Sequence, residues 1–297
     1  MRPYAPVRPR LFHARRAVVA MLTAGGIAAC AAPRPATEPA PRTTAVEQAP
    51  TRDPMRAPWT VTDDAGTWSN RIELASTLES RVDTVMRTDT SRVVLELSWS
   101  RLAGSPGGLS GLVTAYRLGV GAMEPDTVRG LLLPMAFRAT EGRDGGQVRF
   151  EVPPSGPCSP LLAVVQPVRD LLVRPPGRLE PGTTWSDSAT YTICRDSIPL
   201  EVTSRRSFVV RGAERRDGIG LVVVVDRTAD VRLHGDGTQF GEPITIRAEG
   251  QGTMRLELLP RGGVVVSGEG DHELEMQMRG RRRSQDLTQR TRITIAP

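Results

Sequence analysis

"DHELEMQM", residues 271–278, decides the fold. His272, Leu274, Met276 and Met278 fall on one side of an extended chain, and Asp271, Glu273, Glu275 and Gln277 on the other. Side chains of a strand alternate between its two faces, so this is a strand with one dry face and one wet face. The same period of two recurs outward in both directions. In "TMRLELL", Met254, Leu256 and Leu258 oppose Arg255 and Glu257; in "RTRITIAP", Ile293 and Ile295 share a side. In "RVVLELSWS", Val93, Leu95, Leu97 and Trp99 oppose Val94, Glu96, Ser98 and Ser100, and in "QVRFEV", Val148, Phe150 and Val152 alternate with polar residues. Runs at 71–77, 198–210, 221–233 and 244–249 extend the pattern to ten or more strands. Turn-rich segments separate them ("SPGG", "EGRDGG", "RRDG", "HGDG", "PRGG"), and short turns between adjacent strands imply antiparallel pairing.

One helix interrupts this pattern. In "CSPLLAVVQPVRDLLVRPP", Ser159 is placed to cap and Pro160 to open it, and Leu161, Leu162, Val165, Val168, Leu171 and Leu172 recur at helical spacing. Pro167 predicts a kink and Pro175-Pro176 a stop. Many one-sided strands must cover their apolar face. The expected fold is therefore all-β and mainly antiparallel, a strongly curved sheet or half-barrel covered by one central amphipathic helix. The triplet Thr67-Trp68-Ser69 before the helix matches Thr184-Trp185-Ser186 after it. Either chance or a shared preference at strand starts explains this, or two half-sheets are joined through residues 159–174.

The chain of 297 residues carries a formal charge of +6, but five of its 39 basic residues precede residue 30 and no acid does. The remainder has 34 basic against 33 acidic residues, and the chain contains no Lys. Arginine abundance is thus compositional, and no nucleic-acid partner is expected. The local cluster "RGRRRSQ", residues 279–285, suits a solvated hairpin turn. Aromatics make up 4% of residues, too few for the girdles of a membrane-spanning barrel.

The first 29 residues combine Arg2, Arg8, Arg10, Arg15 and Arg16 with an uncharged run, residues 17–29, that ends at Ile27-Ala28-Ala29-Cys30. That run falls short of the about 20 residues a spanning helix needs and suits an export signal. Residues 30–57 hold six prolines and almost nothing large and apolar, a tether reaching about 30 Å as a flexible coil. Residues 58–297 form the single β-rich domain. The small residues before Cys30 resemble the lipobox of bacterial lipoproteins, which implies acylation of Cys30 and a membrane partner through that anchor. Arg15-Arg16 also resembles a twin-arginine signal. Ala31 after the cysteine implies, by resemblance to lipoprotein sorting, the outer membrane facing the periplasm. Buried acyl methylenes contribute about 0.8 kcal/mol each. In an exported chain the two remaining cysteines, Cys158 and Cys194, are expected to pair, the alternative being two buried thiols.

The apolar helix, its proline stop and "PGTTWSDSATYT" resemble an arrangement in β-rich bacterial envelope lipoproteins that have no assigned activity. The curved sheet over a helix is loosely similar to the carrier half-barrels of the LolA and LolB type, which implies an acyl chain bound on the concave face. The apolar lining expected there is Leu161, Leu162, Val165, Val168, Leu171, Leu172, Met254, Leu256, Leu274 and Met276.

No catalytic constellation stands out. His234 lies in a glycine-rich stretch, and His272 alternates away from Asp271 and Glu273, so "DHE" cannot converge on one metal. "GLSGL" misses the nucleophile-elbow spacing, "GDGTQFG" precedes no helix, and without Lys there is no Walker lysine. No cofactor or metal is expected. The leading expectation is non-catalytic binding of a lipid or other apolar ligand. The alternative is a structural or protein-interaction module with a solid core, and an enzyme comes third.

Overall fold

A computed structural model describes residues 53–297 except 54, 83–84, 102–106, 129–130, 143–145, 152–153, 157, 196, 240 and 282–283. The leader, Cys30 and nearly all of the tether lie outside the described residues. The strands are β1 (Trp59–Thr60), β2 (Gly66–Val82), β3 (Val85–Arg101), β4 (Gly108–Val120), β5 (Asp126–Thr127), β6 (Met135–Thr140) and β7 (Gln147–Phe150). After helix α1 (Leu162–Leu171) come β8 (Arg178–Leu179), β9 (Thr184–Arg195), β10 (Ile198–Arg216), β11 (Gly220–Gln239), β12 (Glu242–Leu259), β13 (Val264–Gly280) and β14 (Ser284–Ala296).

Twelve of these strands form one antiparallel sheet in the order β7-β6-β4-β3-β2-β14-β13-β12-β11-β10-β9, with β5 beside β4. The sheet curls strongly into a half-barrel. Pairing of β2 with β14, Leu74 opposite Ile293, joins the strands before the helix to those after it. Trp68 and Trp185 sit in β2 and β9 of this single sheet. α1 packs against both edge strands, β7 and β9, so the helix spans the seam that the curled sheet leaves open. β1 and β8 form a separate two-stranded ribbon whose Trp59 and Leu179 are buried in the main apolar core.

The sequence pattern maps onto this sheet with three differences. The runs 244–249 and 253–259 belong to one strand, β12. "HGDG" is not a turn but the end of β11, and the turn follows at Gly241. The segment containing "GLSGL" opens β4, where a bulge opposite Glu96 and Leu97 breaks the alternation. The helix also begins later than Ser159 and Pro160 suggest. Residues 159–164 form a tighter turn with i to i+3 bonds, and the Leu161 N–H donates to Ser159 Oγ at 3.4 Å. Ser159 therefore heads this lead-in turn, and Leu161 occupies the cap position.

The far end of α1 is held by charge. Arg206 donates to the carbonyls of Arg169 (3.0 Å) and Leu172 (2.8 Å), satisfying groups that a helix C-terminus leaves open. Arg206 is fixed in turn by two bonds to the Asp187 carboxylate, at 2.7 and 2.6 Å.

The outward face of the sheet is hydrophilic. Arg290 of β14 bridges Glu273 of β13 (2.8 Å) and Glu79 of β2 (3.1 Å). The inward face is layered. Along β10 it runs Phe208, Arg206, Ser204, Val202, Leu200; along β11 it runs Val225, Arg227, Ala229, Val231, Leu233. Phe208 and Val225 belong to the main apolar core, which also takes Val164, Val168 and Leu171 from the helix. Val202, Leu200 and Leu233 belong to a second cluster with Ile246, Met276 and Met278. A band containing Arg206, Arg227 and His272 separates the two.

Candidate functional site

In that band Arg227 is 1% exposed, and its guanidinium is held from three sides. Nη1 donates to Asp170 Oδ1 of α1 at 2.7 Å, while Nη2 donates to Met254 Sδ at 2.7 Å and lies 3.1 Å from His272 Nε2. Burial alone would raise the Asp170 pKa, but the Arg227 charge above all, with Arg206 and the hydrogen bond from Arg227, outweighs it and holds the carboxyl below its ordinary range. Burial, aided by Arg227, pushes the His272 pKa down. Its Nε2 faces an Arg227 donor, the arrangement of a neutral ring. Tyr191 of β9 completes the band. Its ring lies 4.6 Å beneath the Arg169 guanidinium, and burial, with the Asp170 charge, raises its hydroxyl pKa.

Above this layer lies a cavity of about 290 Å³. Its walls combine apolar Leu200, Val202, Leu233, Leu274 and Met276 with polar Ser76, Arg195, Gln289 and Thr291. Its floor is polar, formed by Asp170 and Gln166 of the helix with His272 and Tyr191. Two inward glycines leave space beside it. A Cβ at Gly250 would strike the Glu273 carbonyl and Leu274, and one at Gly252 would strike the His272 ring. His272 and Leu274 therefore lie across the neighbouring strand, which any larger residue there would prevent.

The expected lining divides between this cavity and the solid core. Leu274 and Met276 border the cavity. Val168, Leu171, Leu172, Met254 and Leu256 are core residues, and Leu161 packs on that core from a half-buried position. Val165 is buried and Leu162 half-buried, and neither borders the cavity. The physical reason is the orientation of α1: its apolar stripe faces the main core, which leaves Gln166, Pro167 and Asp170 toward the cavity.

Cys158 and Cys194 form a disulfide with their Cα atoms 5.1 Å apart. It pins the lead-in to α1 onto β9, and Cys194 borders the cavity. Among the described residues, no group of three or more His, Cys, Asp or Glu side chains is placed to hold a metal ion.

A second recess, about 580 Å³, lies beside a different ion pair. Arg101 Nη2 donates to both Glu141 oxygens at 2.9 and 3.0 Å, and Asp63 stands 3.3 Å from Nη1. Its walls are more polar, with Asp63, Arg101, Glu141, Arg174 and Asp187 among them. Burial pushes the Glu141 carboxyl from its usual 4.5 up to about 7, against the opposing pull of Arg101. A raised folded-state pKa means that the native protein binds this proton more tightly than the unfolded chain. The contribution is present in full below about pH 4.5 and is lost as pH rises through about 7. In Glu141→Gln that slope should disappear: the stability difference between wild type and variant should fall across pH 4.5–7 and flatten above it, as followed by urea unfolding.

No protein-family model matches the chain, and no curated protein matches its sequence. Among solved structures, the chain is similar to DynF from the dynemicin biosynthesis pathway of Micromonospora chersina, at 9% identity and a TM-score of 0.23, over 81% of this chain and 83% of that one. It is also similar to Pseudomonas aeruginosa OccK8 (OprE), at 7% identity and 0.19, over 80% and 99%. For the outer membrane protein opdK of the same organism the values are 12% and 0.18, over 80% and 99%. Likeness at these scores carries no functional argument.

Proposed function

We propose that this protein is a lipid-anchored, non-catalytic component of the cell envelope that holds an apolar small molecule, a lipid or acyl chain, between α1 and the concave face of the half-barrel. One observation carries the binding reading. Beside the second apolar cluster the interior opens into a cavity of about 290 Å³ with mixed, mainly apolar walls, close to the lower bound of small-ligand pocket sizes, about 300–1,000 Å³. The anchor and the location rest on the leader and Cys30. The disulfide supports them, because such bonds persist in oxidising compartments. A solid-core module docking through strand edges has less support, since α1 packs against both edge strands, β7 and β9.

The experiment is native mass spectrometry of the full-length protein after mild extraction, together with titration of the neutral fluorescent probe N-phenyl-1-naphthylamine. The expected result is a co-purifying lipid-sized mass and saturable probe binding that Leu274→Trp, which fills the cavity, lowers at least about tenfold. A clean apo mass with no probe binding, or binding indifferent to Leu274→Trp, removes the proposal.

A further inference from the structure

The floor of the cavity says what kind of head its occupant carries. A guanidinium has donors and no acceptor. With Arg227 Nη2 at 3.1 Å, His272 Nε2 is therefore the accepting nitrogen, and the ring proton sits on Nδ1. The Cδ2–Nε2 edge of the ring is the one that lies over Gly252, so the Nδ1 edge is turned away from β12. Asp170 uses Oδ1 for Arg227. Among the described residues, nothing hydrogen-bonds Asp170 Oδ2, His272 Nδ1 or the Tyr191 hydroxyl. All three residues line the cavity. The floor thus offers one charged acceptor, one fixed donor and one hydroxyl that can do either, beneath walls in which Leu200, Val202, Leu233, Leu274 and Met276 supply the apolar part.

We propose that the occupant is a neutral single-chain amphiphile whose head both donates and accepts hydrogen bonds, a hydroxyl in the simplest case, seated on Asp170, His272 and Tyr191; this rests on the binding reading above. A hydroxyl gives its proton to Asp170 Oδ2 and receives one from His272 Nδ1. A carboxylate head on that floor could accept from His272 and Tyr191 but would face the Asp170 charge at close range, with the Arg227 charge already engaged and Arg195, a cation that also borders the cavity, four residues further along β9 from Tyr191. An ammonium head would meet Asp170 favourably but would crowd the His272 donor, which Arg227 prevents from changing tautomer.

The test is calorimetric titration of the full-length protein with decan-1-ol and with sodium decanoate, equal in chain length and different in head. The alcohol should bind about tenfold tighter than the carboxylate, the scale of one unfavourable charge contact in a partly buried site. Asp170→Asn should narrow or reverse that preference, and a merely unfolded variant would bind neither. Tyr191→Phe, which removes one hydroxyl and keeps the ring, should weaken the alcohol several-fold and leave the melting temperature near wild type. Equal affinity for the two ligands, or a preference for decanoate in the wild type, overturns the head-group assignment and leaves ligand binding standing. Absence of binding for both overturns the assignment together with the function above.

Discussion

Arg227→Met is expected to lower the unfolding free energy by about 3–5 kcal/mol, the cost of leaving one member of a buried ion pair without its partner. The guanidinium is 1% exposed and holds Asp170, Met254 and His272 together. Removing it takes the 2.7 Å contact from the Asp170 carboxylate, which sits between two apolar clusters and keeps only the more distant Arg206 charge. The decisive comparison is with the double variant Arg227→Met/Asp170→Leu. Replacing a buried ion pair by packed apolar residues is often neutral, so the double variant should recover most of the loss. Urea denaturation with an unchanged slope reads both values. If the double variant is as unstable as the single one, the band stabilises the fold by packing and not by charge.

Loss of the Cys158–Cys194 disulfide is the other large effect. The bridge closes a segment of 36 residues, and in the chain-entropy model such a closure stabilises by about 4 kcal/mol. Serine at both positions should therefore lower stability by up to that amount under oxidising conditions. Wild type treated with a reductant should converge on the variant, and the variant itself should not respond. The loss should also show locally, as faster amide exchange in α1, because the bridge ties the lead-in to the helix onto β9. A variant as stable as the oxidised wild type would show that packing of α1 alone holds that seam.

How much of this was legible depended on which residues interrupted the period of two. The alternation in 271–278 placed His272 on the dry face of β13, where it lies. The glycines at 250 and 252 hid the continuity of β12, because they carry no side chain to mark a face. The same holds for Gly235 and Gly237 in β11, which read as a turn and are strand. The bulge at Leu97 and Val113 scrambled the pattern of β4. The helix was visible as an apolar stripe, but its partner was not: the stripe was assigned to a ligand, and the fold gives it to the core. The floor of the cavity escaped for a related reason. Arg227 sits on the same face as Val225 and Ala229, a charge on a dry face that demands a carboxylate, and Asp170 is the sole acid in α1. That demand could have been read from the strand; the helix that meets it is 57 residues away, and only the curl of the sheet brings the two together.

The seam between β2 and β14 governs how this chain must assemble. Thr77 pairs with Arg290 and Ile72 with Ile295, so the middle of the sheet is stitched by segments more than two hundred positions apart. Until the last strand arrives, the chain can form only two ribbons, β2 through β7 and β9 through β13, each with an open flank next to the missing strand. Long-range closure of this kind is slow, and open flanks invite pairing with neighbours. The half-barrel is therefore a late product of its own synthesis, and the interval before closure is when its open flanks are most exposed to mispairing.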